Sequence, residues 1–126
     1  MIRFEHVSKS FRHDGGPWVP VLKDLDLTVR EAEFVCVLGP SGCGKTTLLN
    51  LIAGFIAPSQ GRILFDGREV RGPGPERGVV FQDATLFPWL SVASNVAFGL
   101  RLQGVRGRRL AEAVHRHLEI LGLGGH

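Results

Sequence analysis

Nine consecutive residues, Gly39-Pro40-Ser41-Gly42-Cys43-Gly44-Lys45-Thr46-Thr47, constrain this chain more than any other stretch. They match G-x-x-x-x-G-K-[ST], the spacing of a phosphate-binding loop (P-loop). Ahead of them Phe34-Val35-Cys36-Val37-Leu38 is an unbroken apolar run, which predicts a strand buried on both faces. Behind them residues 46–54 predict a helix. Strand, glycine-rich loop and helix together are the context in which the motif has a mechanism. The glycines let successive backbone N–H groups turn toward one point, and the helix N-terminus adds its positive dipole end there. Lys45 is then placed to reach the outer phosphates of a nucleotide, and the Thr46 hydroxyl to ligate Mg²⁺.

The rest of the composition narrows the class. The chain has 126 residues, the size of one domain, and is 44% hydrophobic, so a core can form. Net charge is +3, much of it from Arg101, Arg106, Arg108, Arg109 and Arg116. No aromatic residue interleaves with these arginines. They read as a solvated or partner-facing helix face, and no nucleic-acid partner is expected. A disulfide between the two cysteines, Cys36 in the apolar run and Cys43 in the loop, would distort the loop. Both are expected to be reduced thiols of a cytosolic protein. The N-terminal residues Met1-Ile2-Arg3-Phe4-Glu5 lack an apolar signal region, and no apolar run approaches the ~20 residues of a membrane span. Any link to a membrane is expected to run through another protein.

Along the chain, alternation predicts a first strand over 2–7, continued by 8–11. Residues 13–20 read as a loop. Leu25, Leu27 and Val29 alternate with Asp24, Asp26 and Thr28, which predicts a half-buried antiparallel strand. Residues 62–65 and 68–70 predict a hairpin across Asp66-Gly67. Residues 78–81 predict a short buried strand running into Gln82. Ser91 predicts a helix cap, with the helix over 92–102. A second helix is predicted over 108–121, burying Leu110, Val114, Leu118 and Leu121. His115 and His117 lie two apart and share no helical face, so they are expected to be solvated.

Several motifs occur in one order, and together they resemble the ATP-binding subunits of ABC transporters, over essentially the whole chain. The segment 4–11 resembles the family's opening strand, with Phe11 at its adenine-stacking position. Residues 22–27 resemble the strand leading to the P-loop, and residues 61–67 the following hairpin. Val80-Phe81-Gln82 resembles the family's Q-loop, where Gln82 would reach Mg²⁺ or the attacking water. Pro88-Trp89 and residues 95–100 are similar to importers of the nitrate, sulfonate and taurine group. The resemblance implies an α/β P-loop NTPase fold with an antiparallel β-subdomain and the start of a helical subdomain. It implies ATP and Mg²⁺ as cofactors. It also implies a membrane permease, a second nucleotide-binding subunit and a substrate-binding protein as partners, at the cytoplasmic face of the membrane. Residues 39–47 would bind phosphates, Thr46 and Gln82 would serve Mg²⁺, and Gln82 would be the catalytic group.

The family's second set of residues is missing from 1–126: the Walker B strand ending in Asp-Glu, the Leu-Ser-Gly-Gly-Gln signature and the switch histidine. Asp66 follows an apolar run, but Gly67 after it makes a hairpin turn the better reading. The chain is therefore expected to be the N-terminal half of such a domain, unable to hydrolyse ATP alone, because phosphoryl transfer needs those groups. It is also expected to be poorly soluble or marginally stable in isolation. Two other readings stay open: a small P-loop kinase with Arg106, Arg108 and Arg109 on a lid, and a nucleotide-binding fragment without independent activity.

Overall fold

The computed structural model describes residues 1–83 and 85–124. They form two compact units, one of residues 1–80 and one of the described residues from 81 to 124.

The first unit is a four-stranded sheet with one helix. Its elements are β1 (Ile2–Arg12), β2 (Trp18–Val29), α1 (Lys45–Ala53), β3 (Gln60–Phe65) and β4 (Arg68–Glu69). The strand order is β2-β1-β3-β4, and every neighbour is antiparallel. The Asp66-Gly67 turn joins β3 to β4 with positive φ at both residues, as a two-residue hairpin turn requires. The predicted half-buried pattern of β2 holds: Leu25, Leu27 and Val29 are half-buried between exposed Asp24, Asp26 and Thr28.

β1 departs from simple alternation. Phe4 pairs with Leu27 and Val7 with Leu25, so Glu5 and His6 together oppose Asp26 alone. This bulge shifts the phase by one residue, which buries Phe4 and Val7 on one face although they are three apart. The opposite imbalance follows at once. Ser8 alone opposes Lys23 and Asp24 between the pairs Val7–Leu25 and Lys9–Leu22. The core forms where Leu48 and Leu51 of α1 meet Phe4, Val7 and Ile63 of the sheet.

Two expectations fail together. Residues 34–38 and 78–81 form no strand, and both runs are solvent-facing. Phe34 is 91% exposed, Leu38 90% and Val80 100%, and Cys36 is exposed with its run. An all-apolar run signals a strand covered on both faces, but covering is supplied by neighbours. Among the described residues neither run has a hydrogen-bonded partner strand, so no parallel sheet forms around the loop.

The second unit pairs α2 (Val92–Leu102) with α3 (Gly107–Ile120). The Ser91 hydroxyl accepts from the Ser94 N–H at 3.2 Å, the cap the sequence predicts. Asn95 ties the preceding segment to α2: its Oδ1 accepts from Phe87 N–H (2.8 Å), and its Nδ2 donates to the Phe87 carbonyl (3.1 Å). Ala97, Val114 and Leu118 are buried between the helices. Leu121 is exposed, against expectation. α3 ends in a turn in which Leu123 N–H reaches the Leu118 carbonyl (2.8 Å), and Leu123 takes the apolar contact instead.

Candidate functional site: a cleft between the P-loop and an aromatic strand

The loop at 39–47 is positioned by the helix that follows it. Gly44 sits just ahead of α1 with φ 96°, a left-handed conformation that a side chain would oppose. A Cβ there would also meet Val21 Cγ1 at 3.0 Å and Leu22 Cδ2 at 3.2 Å. Glycine therefore lets the loop lie directly on β2. At the other end Gly54 closes α1 with φ 80°, in a place where a Cβ would lie 2.2 Å from the Gly72 carbonyl oxygen. Leu48 N–H donates to the Gly44 carbonyl at 2.9 Å, so helical bonding begins at the loop. The N–H groups of the first turn of α1 have no carbonyl before them in the helix and form the positive end of its dipole.

Lys45 folds across the loop. Its Nζ donates to the carbonyls of Gly39 (2.8 Å) and Pro40 (2.7 Å) and lies 3.6 Å from Cys43 Sγ. Beside it opens a cleft of about 430 Å³ lined by Phe11, Val21, Ser41, Gly42, Gly44, Lys45, Thr46 and Thr47. The cleft joins the end of β1 to the loop, so Phe11 and the phosphate-binding motif, 30 residues apart, share one space. The Phe11 ring is 41% exposed, with the Lys9 ammonium 5.0 Å from its centroid. One wall is thus an aromatic face with a cation beside it, and the other a helix start with a lysine. An aromatic base with a polyphosphate chain has matching chemistry.

The expected residues divide. Phe11, Ser41, Gly42, Gly44, Lys45, Thr46 and Thr47 come together in the cleft. Gly39 and Pro40 stand behind it, as acceptors for Lys45. Cys43 is exposed and turned toward the Lys45 ammonium. Gln82 belongs to the second unit, exposed in an irregular stretch. Asp66 lies in the β3–β4 turn, where it pairs with the N-terminal ammonium of Met1 at 2.5 Å, so it is a turn residue as expected. Val21 lines the cleft without any motif announcing it. Only the β1–β2 pairing brings it there, through Phe11 opposite Val19. Among the described lining residues none is acidic. Thr46 is exposed and contributes a hydroxyl, a hard oxygen donor that fits Mg²⁺.

A P-loop at a helix start, opening on an aromatic strand of an antiparallel sheet, defines a nucleotide-binding P-loop fold. Comparison with known proteins narrows it. The profile described as "ABC transporter" matches residues 22–125, and the chain belongs to that family. It is 46% identical over 123 residues to the taurine import ATP-binding protein TauB of Ruegeria pomeroyi, covering 98% of this chain and 46% of that one. It is 47% identical over 124 residues to an uncharacterized ABC transporter ATP-binding protein of Methanocaldococcus jannaschii, covering 98% and 46%. The chain thus spans about half the length of these relatives. Among solved structures, a dimeric post-hydrolysis state of the ATP-binding cassette MJ0796 bound to ADP and Pi superposes with a TM-score of 0.82. It is 30% identical and covers 97% of this chain and 56% of that one.

Proposed function

We propose that this chain supplies the nucleotide-holding half of an ABC importer's ATP-binding subunit. The shared cleft of Phe11 and residues 41–47 carries this reading. In it the adenine stacks on Phe11, the phosphates lie at the start of α1, and Lys45 exchanges loop carbonyls for phosphate oxygens. Thr46 and Gln82 are the oxygen donors assigned to Mg²⁺, which would offset phosphate charge. Gln82 is also assigned the orientation of the attacking water. With no acidic group in the described lining, the cleft is suited to holding ATP. Hydrolysis would then need groups outside it, and no turnover is expected from residues 1–126 alone.

The R. pomeroyi relative, 46% identical, is a taurine import ATP-binding protein. It supports a small sulfonate such as taurine as the cargo of the assembled importer. The importer would bring a membrane permease, a second nucleotide-binding subunit and a substrate-binding protein, and the subunit would sit on the cytoplasmic face. No helix among the described residues is long and apolar enough to cross a membrane. Calorimetric titration with Mg-ATP tests the core of this reading. Saturable binding that is lost in Lys45→Ala supports it, and equal binding by both proteins overturns it.

A further inference from the structure

The two bulges that shift the phase of β1 and β2 gather three side chains on the exposed part of the sheet, apart from the nucleotide cleft. His6 Nδ1 lies 3.0 Å from Asp24 Oδ1 and 3.3 Å from Asp26 Oδ2. One ligand atom from each of the three falls within 4.8 Å of the others. We infer that His6, Asp24 and Asp26 form a surface site for a divalent transition-metal ion of the Zn²⁺, Co²⁺ or Ni²⁺ type.

The spacing carries the inference. Ligands at ~2.0–2.1 Å from a common ion stand roughly 2.9–3.4 Å apart, at octahedral and tetrahedral angles respectively. Both nitrogen–oxygen separations lie in that range, the shorter one being also a hydrogen bond between the His6 ring and Asp24. The donors are also held in place by bonds that leave ligand atoms over. Asp26 uses Oδ1 to accept from the His6 N–H (2.9 Å), which leaves Oδ2 turned to the cluster. Asp24 is anchored through its own N–H to Ser8 Oγ (2.9 Å). These bonds replace ladder bonds that the bulges remove. The donor set selects the ion class: one imidazole with two carboxylates suits borderline transition ions, whereas Mg²⁺ and Ca²⁺ favour all-oxygen sets. The side chains are 78%, 76% and 56% exposed, which leaves room for waters to complete the coordination. Two carboxylates this close call for a cation, and the arginine beside Glu5, Arg62, is already paired with it at 2.6 Å.

The test is titration of the nucleotide-free protein with Zn²⁺ and Co²⁺ in mildly alkaline buffer, with the histidine ring nitrogens followed by ¹⁵N NMR. One saturable site is expected, with the His6 Nδ1 resonance displaced, and His6→Ala or Asp24→Asn is expected to weaken it at least roughly tenfold. The ring signal reads the site in the unaltered protein, so a variant that fails to fold does not decide the matter. Three results would each overturn the assignment. These are no saturable binding, binding unchanged in His6→Ala (which would place the ion elsewhere, such as Cys43 or His115), and equal binding of Mg²⁺ with the His6 resonance unmoved.

Discussion

Lys45 gives two of its donors to carbonyls of its own loop, and Phe11 offers a ring half open to solvent. Both arrangements suit an incoming nucleotide, and each makes a prediction. Charge-assisted hydrogen bonds contribute about 1.5–3 kcal/mol each, so Lys45→Ala should weaken Mg-ATP binding about ten- to hundredfold. Stacking of a base on an aromatic side chain is worth ~1–3 kcal/mol. Phe11→Ala should therefore weaken ATP binding about five- to hundredfold, while Phe11→Tyr retains it; inorganic triphosphate should bind both variants like the parent. His6 makes a third prediction. The hydrogen bond to Asp24, then the charges of Asp26 and Asp24, raise its pKa above the usual 6.5. The folded state thus holds the proton more tightly than the unfolded one. The resulting stability is complete below 6.5 and is lost as pH rises through the folded value. An NMR titration should show the raised midpoint in the parent and a lower one in Asp24→Asn. The loop residues were legible because their chemistry is local: nine adjacent residues specify a cradle. Val21 and the His6 cluster were not, because only strand register brings them to their places.

At the scale of elements, the sequence outlined the helices well and the strands less evenly. Helix signals sit inside the helix or next to it. Ser91 caps α2, and Gly54 ends α1. Replacing Ser91 by Ala should cost about 1 kcal/mol, read as a lower urea midpoint for the second unit. Leu51 is fully buried between α1 and the sheet. Leu51→Ala should cost ~2–5 kcal/mol in the first unit and, by loosening α1 under the loop, should also weaken nucleotide binding. An unchanged unfolding midpoint would contradict the packing described. Strand signals are less self-contained. Alternation predicts β1 over 2–7 with 8–11 continuing it, and the strand runs Ile2–Arg12, but alternation does not show the bulge at Glu5 and His6 that reverses the pattern. Leu121 was misplaced for a related reason: helical periodicity runs on, but the turn at 122 ends it and substitutes Leu123.

Across the whole molecule, the sharpest disagreement between pattern and placement lies in residues 34–38 and 78–81. A continuous apolar run is a statement about residues, while burial is a statement about what lies beside them. Phe34, Leu38 and Val80 are each at least 90% exposed. Leaving such side chains in water forgoes about 1.5–3 kcal/mol apiece relative to burial. Exposed apolar runs also invite other chains to pack against them. We therefore expect the protein to self-associate as its concentration rises, seen by sizing chromatography with light scattering. Phe34→Lys combined with Val80→Lys should shift it toward monomer. Neither residue lines the nucleotide cleft, so Mg-ATP affinity should stay within about twofold, since surface substitutions usually cost no more than ~0.5 kcal/mol. A parent protein that stays monomeric and binds no hydrophobic dye would show that both runs are covered in solution. That would also restore the buried-strand reading of their sequence.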